Sequence, residues 1–517
     1  MNTYKILFRT FFLALIGLMV SCTDLDEQLN SELEQGVSDV NAADLLIGAY
    51  SALNTPYQHD QRWVLEEVST DAAMAPTRGG DWDDNGTHRA IHLHTWNADN
   101  SYMNNTFNNL MAAQFQASNV LRNNPNAQQA AEARFIRALS MFDVLNLWGK
   151  VPYREDLEDY RKYPETLEPA EAISFITNEL TAIITDLPAT GPAYVANQNA
   201  ARALLMKIYL NKGAFLNRES PSFDAADMNQ VIALADEITG SGQYTISPPG
   251  RYFDNFAPHN HAASTENIFT LYNEYGVRGG NVDRTWNTVA HYNMTPGGWN
   301  GWCTLSGFYD LFEEGDERLG IYYDYPADTM ANPGRRRNVG FLVGQQYDLR
   351  NDKPLMARNP STQPLVFTPE VTIRTSGNTL ETAGIRVLKY AFDYGVPSGQ
   401  RNNDWVVFRY ADVLLMKAEA ILRGGNGSPA DALALVNGIR QNREADALAD
   451  ISLDELVDER GRELYWEGWR RQDLIRFGKF LEPRQETPTA SPAHVLVYPI
   501  PAQQIAVNPN LEQNPGY

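Results

Sequence analysis

The chain has 517 residues, and its 64 acidic side chains outnumber 42 basic ones to give a formal net charge of −22 at pH 7. This balance is the opposite of the basic surface that nucleic-acid binding requires, and it disfavours anionic ligands. Hydrophobic residues make up 43% of the sequence, a share typical of a globular protein with a large core. The composition therefore predicts a folded, acidic protein that does not bind nucleic acid.

The N-terminus has the pattern of an export signal. Basic residues precede an apolar run at residues 11–20, which is too short to span a bilayer and has the length of a signal-peptide core. The run ends just before Cys22, in a context that resembles a bacterial lipobox. We therefore predict a signal peptide at residues 1–21, lipidation of Cys22 and a lipidated tether at residues 22–40. The other cysteine is Cys303, so an acylated Cys22 leaves no partner for an internal disulfide.

The first clear structural element is a pair of amphipathic runs at residues 102–148. In the second run Phe135, Leu139 and Phe142 recur at helical spacing, which predicts a helix with one apolar face. Gly149 follows that run and is the residue type that ends helices in a left-handed C-cap. A short Asn/Pro turn joins the two runs, so we predict a helical hairpin.

The hairpin pattern repeats along the chain. Similar amphipathic pairs are predicted at about residues 168–216, 406–442 and 453–482. Residues 244–397 are rich in Gly, Pro, Asn and aromatic side chains, which predicts an irregular lobe. The predicted fold is mostly α: a tetratricopeptide-like superhelix of about four helical hairpins with a large irregular, loop-rich ligand-binding lobe. Because the lobe interrupts the hairpins, residues 41–517 are expected to form a single domain.

Carboxylates near the C-terminus raise the question of catalysis. Glu459, Glu463 and Glu467 follow one another at a spacing of four, and Arg471 continues the series. A glycosidase needs one carboxyl group whose pKa is raised, whereas neighbouring arginines lower a carboxyl pKa. We therefore predict salt bridges along a helix rather than an acid–base pair. No catalytic residue is expected.

Two groups of histidines are candidate metal ligands. His88, His92 and His94 lie close together, and His259 and His261 form a second pair. No cysteine lies near either group, although zinc sites are built from His and Cys in a tetrahedral set. No glycine-rich phosphate loop or serine nucleophile motif is present either. We therefore expect neither a metal nor a cofactor.

Aromatic residues in glycine-rich loops are the positive signal for ligand binding. Trp82 lies between acidic residues in one such loop, and Trp286, Tyr292, Trp299 and Trp302 lie in the predicted lobe. A sugar ring stacks on such side chains through its apolar face. Trp82, Trp286 and Trp299 are the first choices for stacking, and Tyr292 and Trp302 are further candidates. The alternative, that each tryptophan fills the core of its lobe, stays open.

Polar residues near these rings are candidates for binding sugar hydroxyl groups. Arg78 and Asp81 lie beside Trp82 in sequence, and Asp71 lies a little further back. Arg386 precedes a strand-like run and is added on that position alone. Side chains of these types donate to or accept from hydroxyl groups.

Several segments together resemble one family. They lie at residues 132–152, 408–420, 458–478, 498–501 and 508–517, and they follow a lipobox-like N-terminus. In this order they are similar to the SusD/RagB family of outer-membrane nutrient-binding lipoproteins. The resemblance extends over nearly the whole chain, from Cys22 to Tyr517.

The resemblance implies a non-catalytic glycan-binding lipoprotein at the cell surface, anchored in the outer membrane through Cys22. It also implies a partner, a SusC-like TonB-dependent barrel transporter that receives an oligosaccharide or polysaccharide. The acidic charge and the tryptophan-rich loops favour a neutral glycan. The alternative within the same family is a protein that captures peptides or proteins for such a transporter.

Overall fold

The computed structural model describes residues 41–154, 162–278, 282–326, 328–397 and 400–517. The predicted signal peptide, the lipidation site Cys22 and the tether at residues 22–40 lie outside these ranges. None of the helices in the described ranges combines the length and the apolar character that crossing a bilayer requires. Residues Ala42–Tyr517 form one compact unit.

The described part of the chain is mostly helical. In chain order the helices are α1 (Ala42–Ala52), α2 (Arg62–Glu67), α3 (Thr87–His92), α4 (Ser101–Leu121), α5 (Ala127–Trp148), α6 (Pro169–Ile183), α7 (Gln198–Leu216), α8 (Ala225–Gly240), α9 (Asn260–Ala263), α10 (Val282–Val289), α11 (Ser306–Tyr309), α12 (Tyr410–Leu422), α13 (Pro429–Asn442), α14 (Leu453–Leu464), α15 (Arg470–Arg476) and α16 (Ala502–Val507).

The strands are short and pair only two by two within the described residues. They are β1 (Thr77–Arg78), β2 (Val151–Tyr153), β3 (Glu165–Leu167), β4 (Asn267–Leu271), β5 (Gly340–Leu342), β6 (Gly344–Gln345), β7 (Tyr347–Asp348), β8 (Lys353–Pro354), β9 (Val366–Phe367), β10 (Arg374–Thr375), β11 (Arg386–Leu388) and β12 (Trp405–Arg409). β1 pairs with β10 in parallel, and the pairs β2–β3, β4–β12, β5–β11, β6–β9 and β7–β8 are antiparallel.

The predicted first hairpin is confirmed as α4 and α5, which pack against each other. Asn126 and Gln129 form a capping box at the start of α5, in which each side chain accepts from the other residue's backbone N–H. At the other end Gly149 has φ 78°, the left-handed C-cap that the sequence predicts. Local capping signals therefore fix both ends of the longest helix of the scaffold.

The helices pack in a continuous series that the lobe interrupts in sequence but not in space. α6 packs against α5 and α7, α7 packs against α8, and α8 packs against α12, which in turn contacts α13 and α14. The chain thus leaves the helical scaffold after α8 and returns to it at α12, which packs against α8. The predicted tetratricopeptide-like architecture is confirmed.

Three boundaries differ from the prediction. The third hairpin starts at Tyr410 rather than residue 406, because the preceding residues form β12 and pair with β4. The second helix of the fourth hairpin, α15, ends at Arg476 rather than near residue 482, and positive φ angles at Trp466 and Gly468 separate it from α14. Residues 68–100 are polar and have no helical period, which predicts a long loop, but they contain the short helix α3.

The three glutamates at the C-terminus belong to a buried cluster rather than to a helix surface. Glu463 is fully buried and contacts Arg318, Arg409 and Arg443 at 2.7–3.0 Å. We call this set, with its further members, the buried ion cluster: Glu266, Arg318, Arg409, Arg443, Glu459, Glu463 and Glu467.

The predicted ladder within one helix is therefore wrong for two of its members. Glu467 lies beyond the end of α14 and pairs with Lys389 and Arg409, which come from other segments. Arg471 does not pair with Glu467; it donates to backbone carbonyls of residues 495 and 496. The predicted electrostatics are confirmed for Glu459: burial opposes ionisation, yet the neighbouring arginines lower its pKa to about 2.

Candidate functional site

An open cleft of about 530 Å³ lies where several loops meet at the start of α4. We call it the aromatic cleft, and its walls are His59, Asp60, Asp81, Trp82, Asp84, His88, Tyr102, Tyr292, Trp299 and Arg358. Four of the predicted binding residues, from two distant loops, come together here: Asp81, Trp82, Tyr292 and Trp299. The structure thus unites part of the predicted platform in one place.

Trp299 is the ring most available to a ligand, since 44% of it is exposed. Trp82 is half-buried, and its indole Nε1 donates a 3.0 Å hydrogen bond to the Trp299 backbone carbonyl. The Trp82 ring lies against Gly301, where a Cβ atom would approach it to 2.2 Å. Trp82 therefore supports the segment that presents Trp299 while it also forms part of the wall.

The opposite wall combines a ring with both signs of charge. The Tyr292 hydroxyl donates to Asp81 Oδ2 at 3.4 Å, and the Arg358 guanidinium lies 3.8 Å from the centre of the Tyr292 ring. Burial raises the pKa of Tyr292, so its hydroxyl keeps its proton and can donate. Exposed donors and acceptors beside aromatic faces are what sugar recognition requires.

Six residues of the aromatic cleft were missed by the sequence analysis: His59, Asp60, Asp84, His88, Tyr102 and Arg358. His88 Nδ1 lies 3.2 Å from Asp84 Oδ2, and this contact lowers the pKa of Asp84. The spacing of four between these two residues, at the start of α3, was the one local signal that could have paired them.

The prediction that Trp286 is a stacking ring is wrong for this structure. The residue lies on α10 rather than in a loop, and only 1% of it is exposed. It packs edge-on against Phe392 in a small apolar cluster of the lobe, and the Arg401 guanidinium covers its ring at 3.9 Å. Its large apolar surface is buried inside the lobe and is therefore not accessible to a ligand.

Trp302 is also a core residue. It is fully buried and stacks on Trp63 at 4.4 Å with the ring planes 5° apart. Trp63 in turn packs edge-on against Trp466, to whose carbonyl its indole donates. Trp302 therefore lies beneath the aromatic cleft and connects it to the core of the scaffold.

The predicted polar residues other than Asp81 serve the fold. Asp71 lies outside the aromatic cleft and pairs with Arg470 at 2.6 Å. Arg78 is buried and donates to backbone carbonyls of residues 301, 380 and 383. Arg386 is also buried and donates to Asn300 Oδ1 and to backbone carbonyls. Both arginines hold loop backbones together instead of facing a ligand.

The histidines outside the cleft have structural partners. His92 Nδ1 lies 3.1 Å from the carbonyl of Val68, and burial lowers its pKa to about 4. His261 lies 3.2 Å from Asp404, and that contact raises its pKa. In the ranges that the structure describes, no three His, Cys, Asp or Glu side chains are placed to hold a metal ion.

Comparison with known proteins finds relatives in one family. The SusD family model matches residues 241–517, which is more than half of the chain. The starch-binding protein SusD of Bacteroides thetaiotaomicron is 27% identical over 417 residues, covering 75% of this chain and 73% of that protein. SusD-like protein P2 of Formosa agariphila is 23% identical over the full length of both chains.

Solved structures have the same fold. Surface glycan-binding protein A from Bacteroides thetaiotaomicron, in complex with laminarihexaose, superimposes with a TM-score of 0.68 over 92% of this chain and 98% of that chain, at 19% identity. A SusD superfamily protein from Parabacteroides distasonis gives a TM-score of 0.69 with the same coverage and identity.

Proposed function

The chain belongs to the SusD family, and on that premise we propose that it is a non-catalytic surface protein that binds oligosaccharide or polysaccharide in the aromatic cleft. The observation that supports this most directly is the exposed face of Trp299, with Tyr292 and the polar side chains of Asp81 and Arg358 across the same cleft. A stacked sugar ring uses its apolar face on the indole and its hydroxyl groups on such polar partners.

The names of relatives point in the same direction. One relative is a starch-binding protein, and structural neighbours include a complex with laminarihexaose and a laminarin-binding SusD-like protein. Those ligands are uncharged glucans. The acidic charge of this chain is compatible with ligands that have no acidic groups and is unfavourable for those that do.

A glycan array tests the proposal. The purified protein is expected to bind a restricted set of immobilised glycans, and isothermal calorimetry with the corresponding free oligosaccharide gives the affinity. A peptide library assayed in parallel addresses the alternative cargo. Binding of peptides together with the absence of any glycan signal would reject the proposal.

The absence of catalysis is part of the proposal. Glu459 and Glu463, two of the carboxylates that the sequence offers as an acid–base pair, are buried among arginines that keep their pKa values low, so neither can act as a general acid. Prolonged incubation with a bound glycan, followed by chromatography of the products, is expected to return the intact glycan. Shortened products would identify an enzyme.

Delivery of the glycan to a SusC-like TonB-dependent barrel transporter, and anchoring in the outer membrane through Cys22, complete the proposal. Both rest on family membership and on the lipobox-like sequence. Cys22→Ala is expected to move the protein from the membrane fraction to the soluble fraction. The native protein is expected to co-purify with a large barrel in mild detergent, and recovery as a free monomer would count against the partner.

A further inference from the structure

The aromatic cleft has more carboxylates than arginine or lysine side chains in its walls. Asp60, Asp81 and Asp84 supply carboxylates, and Arg358 is the only arginine or lysine among the residues that form its walls. Asp60 Oδ1 is buried and receives no hydrogen bond from the described residues. The cleft therefore has a negative field and at least one carboxylate oxygen that lacks a donor.

His88 adds a further acceptor. It is 2% exposed and lines the cleft, and neither ring nitrogen has a hydrogen-bond partner in the part of the chain that the structure describes, although Nδ1 lies 3.2 Å from Asp84 Oδ2. The Asp84 carboxylate, 3.2 Å from Nδ1, stabilises the tautomer in which Nδ1 holds the proton. In that tautomer Nε2 is an acceptor, and a buried acceptor without a donor is unfavourable until a ligand supplies one.

The rings complete the environment. Trp82 and Trp299 lie 6.5 Å apart, and Tyr102 lies 4.9 Å from the His88 ring. Aromatic faces attract cations through their quadrupole, and the effect is largest for tryptophan. Carboxylates among aromatic faces form the combination that binds ammonium groups.

We propose that the aromatic cleft selects glycans that have free amino groups, such as oligomers of glucosamine, and rejects glycans with carboxylate or sulfate groups. An ammonium group donates three hydrogen bonds and accepts none, which matches the unsatisfied acceptors of Asp60 and His88. It also gains attraction from the carboxylates and from the indole faces. This inference rests on the proposed function and specifies the chemical class of the ligand.

The test uses oligosaccharides that share one β-linked glucose backbone and differ in charge. These are chitosan hexaose, cellohexaose, fully N-acetylated chitohexaose and an oligoglucuronate, measured by calorimetry near neutral pH and at moderate salt. Chitosan hexaose is expected to bind roughly tenfold more tightly than cellohexaose, the range of one charged hydrogen bond. The oligoglucuronate is expected not to bind.

Variants assign the effect to the cleft. Asp60→Asn and Asp81→Asn are expected to weaken chitosan hexaose about tenfold each, and to weaken it more than they weaken cellohexaose. Asp450→Asn removes an exposed carboxylate outside the cleft and is the matched control, with unchanged affinity expected. Circular dichroism checks that each variant is folded.

Three results would overturn the inference: no binding of chitosan hexaose, binding no tighter than that of cellohexaose, or an equal loss in Asp450→Asn. The last result would mean non-specific attraction to the acidic surface. If an uncharged glycan from the array binds while chitosan hexaose does not, the inference fails and the proposed function stands. If no glycan of any kind binds, both fail.

Discussion

The aromatic cleft and the buried ion cluster both contain several carboxylates, but these differ in their burial and in their pairing with basic side chains. In the cluster each glutamate meets arginines or lysine within 3.2 Å and is shielded from water. In the cleft Asp81 is exposed and Asp60 has an oxygen with no donor among the described residues. Carboxylates that are fully paired with arginine or lysine in the core fix the fold, whereas carboxylates at an open surface that can still accept hydrogen bonds are available to a ligand.

The largest effect is expected when one charge is removed from the buried ion cluster. Glu463→Gln leaves Arg318, Arg409 and Arg443 partly uncompensated in the core, so we expect a loss of about 3–5 kcal/mol in the free energy of unfolding. Urea denaturation followed by circular dichroism measures it. Glycan affinity of the folded variant should be unchanged, because no cluster residue lines the cleft.

The matched control is Asp454→Asn on the same helix. Asp454 is 83% exposed and pairs with Lys479, so its removal should leave the unfolding midpoint close to that of the parent. An equal effect of the two substitutions would mean that burial is not what makes the cluster important.

A second prediction concerns Trp302, which is fully buried, whereas Trp299 is 44% exposed. Trp302→Ala removes a fully buried ring that stacks on Trp63, and we expect a loss of about 3–5 kcal/mol in unfolding free energy. Thermal and urea denaturation measure the loss. A variant as stable as the parent would place Trp302 outside the core.

The tryptophans of the lobe also show what the sequence could and could not predict. Trp286, Trp299 and Trp302 all lie near glycines in one stretch, and nothing in the local pattern distinguishes the exposed ring from the two buried ones. The helices were predictable because the apolar period and the capping residues act within a few neighbours, as in α5.

The cleft was only partly predictable because it depends on which loops meet. Tyr292 and Trp299 reach Trp82 across more than 200 residues, and Arg358 joins them from a third segment. Arg78 and Arg386 have the right chemistry but are drawn into backbone contacts that only the folded chain reveals. The composition of the loops predicts that a ligand site exists, whereas tertiary packing decides which residues line it.

The third prediction concerns the exposed ring. Trp299→Ala should reduce affinity for the bound glycan by about 1–3 kcal/mol, or roughly ten- to hundredfold, through lost apolar contact. Its stability should remain close to that of the parent, since the ring is 44% exposed. Phe115→Ala removes an aromatic side chain that is 51% exposed outside the cleft and serves as the control. Parental affinity in Trp299→Ala would move the binding site elsewhere.

The last prediction concerns Glu67, a buried carboxyl group that belongs to neither region. Its Oε1 accepts from the backbone N–H groups of Gly468 and Trp469, and none of the described arginines or lysines forms an ion pair with it. Burial raises its pKa from 4.5 to about 8, in contrast to the lowered pKa of Glu459 in the cluster.

The sign of the pH dependence follows from proton binding. Between pH 4.5 and about 8 the folded protein holds a proton on Glu67 that the unfolded chain releases, so this group's contribution to stability is greatest at low pH and is lost as the pH rises through 8. Glu67→Gln keeps the amide carbonyl as acceptor and removes the titration. We expect the stability of the variant relative to the parent to increase as the pH rises from 4.5 to about 8. Urea denaturation across this pH range measures the difference, and an unchanged pH slope would show that Glu67 is ionised in the folded protein despite its burial.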